Sequence, residues 1–192
     1  KPNLQDTKII KHHLYGCNSV KKKFSTGHWL QMVIKKIKEQ WKNEKIPIVV
    51  GGTGLYFKAL TDGLVKIPNI PNNVRTEIRK LHKKIGQKIF FNQLIKLDPL
   101  AKSFVLPSDT QRSMRAYEVK KFTNKSLFEL IKETKPNFNN SVFKKLFINP
   151  PIELLHKKIE KRVEKMFNDG AIAEVENFFK LKVYRELSSN KI

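Results

Sequence analysis

The sequence predicts an α/β fold, a parallel-sheet core interrupted by an all-helical insertion, and three observations predict it. The stretch IPIVV at 46–50 is β-branched and apolar on both parities, as a strand covered on both faces is. An amphipathic helical pattern precedes it, and a second helix follows across GGTG at 51–54. Residues 72–134 then show helical periodicity with no strand-like alternation.

The helix before the strand runs over 26–45, where Trp29, Met32, Val33, Ile37 and Trp41 fall at helical spacing between Lys and Gln. The helix after it covers 55–60. DGLVKIPNIPNN, with two prolines and several Asn, reads as a linker. Val74, Ile78, Leu81 and Ile85 form one apolar stripe, stopped by Gly86, and 89–97 forms another. Asp98-Pro99 reads as an N-cap followed by Pro at the first helical position. Asp109 caps a third helix, TQRSMRAYEVKKF, and Ser126 a fourth that reaches Glu133. VFKKLFINPP reads as a short strand returning to the sheet. Pro150-Pro151 opens a long helix through Leu154, Leu155, Ile159, Val163, Met166 and Phe167, with Gly170 as its stop. A last helix carries Ile172, Val175, Phe178 and Phe179, and YRELSSNKI ends with no stop signal, as if cut off. The expected division is core 1–66, helical insertion 67–138 and core continued 139–192.

Composition narrows the function. The formal charge of +22, from 39 Lys+Arg against 17 Asp+Glu, favours a polyanionic partner. Arg is scarce (Arg75, Arg79, Arg112, Arg115, Arg162 and Arg185), so each Arg is a better clue than the diffuse Lys, because its planar fork pairs bidentately with phosphates and base edges. No apolar run approaches the ~20 residues of a membrane span, and KPNLQDTKII lacks the layout of a secretory signal. One cysteine, Cys17, leaves no internal disulfide and fits a reducing cytoplasm. His12 and His13 are adjacent and diverge on either a helix or a strand, which argues against a shared metal.

Two constellations point to chemistry. In the glycine turn, Gly51, Gly52 and Gly54 permit positive φ and close backbone approach, and Thr53 offers a hydroxyl at a helix N-terminus. The turn is either an anion or nucleotide site or a plain strand-to-helix turn capped by Thr53. It satisfies neither a Walker A loop nor G-x-G-x-x-G, since Phe57 stands where a third glycine belongs. In SDTQRSMRAYEV, Gln111, Arg112 and Arg115 occupy the first two turns, and the two Arg share a face. Such a turn holds a nucleic-acid backbone and reaches base edges, or else is a solvated basic face. Arg75 and Arg79 lie at similar spacing. Arg162, beside Val163 of an apolar stripe, either lines a cleft suited to pyrophosphate or pairs with Glu160 or Glu164 on the surface.

These residues together resemble the tRNA dimethylallyltransferases, also called tRNA isopentenyltransferases. The matching pieces are HHL at 12–14, PIVVGGTGLYFKALTDGL at 47–64, NNVRTEIR at 72–79, LDPLAKSFVLPSDTQRSMRAYEV at 97–119 and ELLHKKIEKRVEKMFNDGAIAEVENF at 153–178. The resemblance implies a P-loop-NTPase-like core with a helical insertion, and transfer of a dimethylallyl group from its diphosphate to the exocyclic amine of an adenine beside the anticodon. It implies a flipped target base in a channel that the diphosphate enters from the other side. Thr53, Arg75, Gln111, Arg112, Ser113, Met114 and Arg115 match tRNA contacts. Arg162 matches a diphosphate contact, and Gly51, Gly52 and Gly54 would form part of the channel wall. The partners implied are a tRNA anticodon stem-loop and dimethylallyl diphosphate, with Mg²⁺ as cofactor and a monomeric, non-membrane enzyme.

The family's Walker-A-like loop, which grips the diphosphate and Mg²⁺, is not matched, and neither is the Asp-Ser-x-Gln segment whose Asp is the general base. Both would precede Lys1, and the family's final helices would follow the last residue. The chain alone is therefore expected to be inactive. The competing readings are a nucleotide or small-molecule kinase-like P-loop enzyme and a non-catalytic RNA-binding module.

Overall fold

The structure is a computed structural model that describes residues 2–183. The open end expected at 184–192 lies outside the described residues. The chain divides into two units, one of Lys1–Tyr56 with Ser141–Ile192 and the other of Phe57–Asn140.

The first unit opens with α1 (Leu4–Ile9), closed by a reciprocal cap. The Asn3 side chain accepts from Asp6 N–H at 2.7 Å, and the Asp6 carboxylate accepts from Asn3 N–H at 3.2 Å. In α2 (Thr26–Lys42), Ser25 accepts from His28 N–H; of the expected stripe Val33 and Ile37 are buried, joined by Leu30, while Trp29 and Met32 are half-buried and Trp41 is exposed. Trp29 on this helix stacks on Tyr56 with ring centroids 4.3 Å apart, fixing the start of α3 (Gly54–Asp62). A 3-10 turn at Asn140–Val142 precedes α8 (Ile152–Asn168) and α9 (Ala171–Lys180), which pack on each other across Gly170.

The second unit is helical and carries the tighter core. Its first long helix, α4 (Asn72–Leu97), kinks at Gly86, where φ 74 and ψ 165 lie in a region essentially reserved for glycine. α5 (Ala101–Phe104), α6 (Thr110–Thr123) and α7 (Leu127–Lys132) follow. Phe91, Leu94, Ala101, Val105, Ala116, Val119, Leu127 and Phe128 form the core, and Ile70 from the linker joins them at 1% exposure. The linker is thus part of the core, with Val65 and Ile67 packed against it as well. Gly63 (φ 92) closes the unit: a Cβ there would meet the Lys135 carbonyl oxygen at 2.5 Å.

The expected sheet is not formed: among the described residues there is no strand. Ile46, Ile48 and Val50 are 89%, 77% and 79% exposed in irregular backbone, and Leu146, Phe147 and Ile148 are 80% exposed or more. β-branched, apolar sequence is only half of what a strand requires. Its N–H and C=O groups must also find a neighbouring chain, and neither segment has one among the described residues. The α/β, P-loop-NTPase-like parallel-sheet assignment therefore gives way to a helical architecture. The cap assigned to Asp98 is also corrected. Asp98 ends α4, its N–H bonding Leu94 O at 2.7 Å, and its buried carboxylate accepts from Ser126 Oγ at 2.8 Å. α5 instead starts after Leu100, with no side-chain cap.

Candidate nucleic-acid interface

The start of α6 is the best-built of the predicted sites. The Asp109 carboxylate accepts from Arg112 N–H at 3.0 Å, satisfying one of the open donors of the first turn. Its other oxygen lies 3.4 Å from the Arg112 guanidinium, which remains 71% exposed. Arg115 stands 3.5 Å from the buried carboxylate of Glu118 and keeps 40% of its side chain in solvent. Gln111 is exposed and Met114 half-buried. Two guanidiniums are thus presented at the positive end of a helix, each anchored at its base by a carboxylate of its own helix.

Ser113 differs from its neighbours. It is fully buried, donates from Oγ to Asp109 O at 2.7 Å and accepts from Gln87 Nε2 at 3.1 Å. Its side chain faces the protein, where both of its hydrogen bonds are made. Gln87 also donates to Pro107 O at 2.7 Å and stands 3.0 Å from His82 Nε2. The sequence reading missed this chain, because His82 and Gln87 look like ordinary polar interruptions of an apolar stripe.

In the same unit, Arg75 occupies the first turn of α4 and is half-buried. Its Nε is buried with no hydrogen-bond acceptor among the described residues. A buried guanidinium N–H left unmatched is costly and uncommon in folded proteins.

The other unit carries the glycine turn. None of Gly51, Gly52 and Gly54 has positive φ, so the turn does not require glycine on backbone grounds. A Cβ added at Gly52 or Gly54 would meet nothing within 4 Å. The Thr53 hydroxyl makes no hydrogen bond among the described residues; only the Thr53 carbonyl is engaged, by Tyr56 N–H at 3.0 Å. Thr53 is not the side-chain cap of α3. Arg162 lies on α8, whose residues are all exposed, and it forms no ion pair with Glu160 or Glu164. Near the HHL segment, half-buried His13 is held below its ordinary range by burial first and by the Lys36 and Lys11 charges next. Glu39 is lowered by its hydrogen bond from Lys36.

Among the described residues, no group of three or more His, Cys, Asp or Glu could hold a metal ion. No helix among the described residues is long and apolar enough to cross a membrane.

The chain belongs to the IPP transferase family, whose model matches residues 1–191. It is 52% identical over all 192 residues to the tRNA dimethylallyltransferase of Pelagibacter ubique, covering 61% of that protein. It is 42% identical over 178 residues to that of Rickettsia massiliae, covering 91% of this chain and 48% of the relative. The chain thus spans about half to three-fifths of the length of these curated relatives. Among solved structures it matches a chain in snapshots of a eukaryotic dimethylallyltransferase acting on tRNA, with TM-score 0.76 and 24% identity, over 98% of this chain and 46% of that one. The tRNA isopentenylpyrophosphate transferase of Bacillus halodurans matches with TM-score 0.59 and 22% identity, over 100% of this chain and 59% of that one. These two likenesses are likenesses of fold.

Proposed function

We propose that the chain is part of a cytoplasmic tRNA dimethylallyltransferase, in which it supplies the surface that grips the anticodon stem-loop and an arginine for the diphosphate. The observation that carries this reading is the 52% identity, along the entire chain, to a protein of that name. The single exposed Cys17 accords with a reducing compartment.

The reaction breaks the allylic C–O bond of dimethylallyl diphosphate and forms a C–N bond to the exocyclic amine of the target adenine. The diphosphate leaves with the bonding pair, and the amine gives up a proton. Negative charge grows on the leaving oxygen, so a cation placed there lowers the barrier. Arg162 takes that role in this reading, supported by its lack of an ion-pair partner among the described residues. None of the described side chains is assigned to Mg²⁺ or to the general base.

On the nucleic-acid side, Gln111, Arg112 and Arg115 contact backbone and base edges, and Met114 packs beside them. Arg75 supplies a guanidinium whose buried N–H lacks an acceptor among the described residues. Thr53 offers a free hydroxyl, and the room beside Gly52 and Gly54 admits a close-packed base. Flipping the target base costs a few kcal/mol of unstacking, which contacts elsewhere on the stem-loop must offset.

Equilibrium binding of dimethylallyl diphosphate to wild type and Arg162→Gln tests the diphosphate assignment. We expect roughly tenfold weaker binding in the variant, the size of one charge-assisted contact. Equal binding would remove Arg162 from the site.

A further inference from the structure

Behind the turn that presents Gln111, Arg112 and Arg115, the Gln87 side chain bridges two of its segments. The Pro107 carbonyl oxygen can only accept, so the Gln87 atom 2.7 Å from it is the amide NH₂. The same nitrogen reaches Ser113 Oγ at 3.1 Å, giving both of its hydrogens an acceptor. Ser113 has already directed its own proton to Asp109 O, 2.7 Å away, so toward Gln87 it can only accept. With the nitrogen so placed, the amide oxygen faces His82 Nε2 at 3.0 Å, which must therefore carry the ring proton. His82 is itself held edge-on against the buried Phe90 ring, with centroids 5.1 Å apart.

Gln87 thus joins segments 20 and 26 residues away, one on each side of Asp109. It follows directly on the Gly86 kink, which ends the first part of α4. The connection demands two donors on a side chain of this length. Glu has the length without the donors, and Asn has the donors but is shorter by a methylene. Meanwhile Gln111 and Arg112 are exposed and Arg115 is half-exposed, so the bonds that set the pitch of this turn lie under it and leave its outer face free.

We propose that Gln87 is the positioning residue of the RNA-reading turn: through Pro107 and Ser113 its amide sets the placement of Gln111, Arg112 and Arg115 against the nucleic acid. This rests on the proposed function, in which those side chains read the anticodon stem-loop. Gln87 touches no substrate; it acts through α6.

The test uses the full chain and two labelled stem-loops, one bearing the target adenine and one with it replaced. Their affinity ratio is measured for wild type, Gln87→Met and Gln87→Glu across several salt concentrations, below the thermal midpoint of every variant. We expect the ratio to fall roughly five- to tenfold in both variants. The salt slope on the replaced loop should be unchanged, because the cations that meet phosphate are all still present. A purely structural role would lower the midpoint and leave the ratio alone. A wild-type ratio kept in a folded Gln87→Met chain overturns the proposal and leaves the proposed function standing. A wild type that does not discriminate overturns both. If Gln87→Met does not fold, Ser113→Ala, which removes the acceptor at the other end of the same bond, decides: a lost ratio supports the role and a kept one overturns it.

Discussion

At the scale of single residues, chemistry depends on which side chains have their charge already satisfied. Arg115 is within 3.5 Å of Glu118, and Arg112 within 3.4 Å of Asp109, yet both keep much of their surface in water. The exposed Arg112–Asp109 pair adds little stability, whereas the Glu118 carboxylate is buried and depends on Arg115 as its partner. Arg115→Ala should therefore lower the thermal midpoint by a few degrees, since it leaves the buried Glu118 carboxylate without its partner, and should also weaken stem-loop binding by roughly tenfold. Fluorescence titration alongside a melting curve checks both parts. A large loss of stability with unchanged binding would make Arg115 a structural residue. Ser126 presents the opposite case, since it is buried, caps α7 and donates to the buried Asp98 carboxylate. Ser126→Ala should cost about 2 kcal/mol or more, because it removes a cap and leaves a buried carboxylate without its donor. Urea denaturation measures that cost.

At the scale of elements, much of the helical unit was legible in the sequence. Asp109 and Ser126 cap the helices they were expected to cap, and Gly86 ends the apolar stripe where the helix kinks. Local signals suffice there, because a cap or kink is decided within a few residues. Asp98 was misread because its carboxylate is claimed by Ser126, 28 residues away, and no local pattern carries that information. The Gln87 chain escaped notice for the same reason. The sheet failed differently. The composition of 46–50 and 146–148 is strand-like, but a ladder is a property of two chain segments, and among the described residues no segment pairs with either. Two measurements follow. Gly86→Ala should destabilise the protein by about 1–3 kcal/mol, since the kink's φ 74, ψ 165 is open to glycine and costly for Ala. The extra methyl would meet nothing within 4 Å, so any loss is backbone strain and not a clash. In native-state hydrogen exchange, amides 46–50 and 146–148 should exchange quickly and those of Ala116 and Val119 slowly, as exposure and core packing require. Strong protection at 46–50 would contradict the irregular backbone there.

At the scale of the whole molecule, the charge of +22 guarantees affinity for any polyanion, so affinity alone identifies nothing. Non-specific binding through Lys falls steeply with salt and is blind to sequence. What the reading of α6 demands in addition is discrimination at one base. The measurement that tests it most directly is titration of the full chain with a labelled anticodon stem-loop bearing the target adenine, against one with that adenine replaced, over a range of salt. The account predicts tighter binding to the adenine-bearing loop at every salt concentration, and loss of that preference in Arg115→Ala. Equal binding to both loops, with the same steep salt slope of about −0.9 per duplex phosphate neutralised, would contradict it and leave only a basic surface.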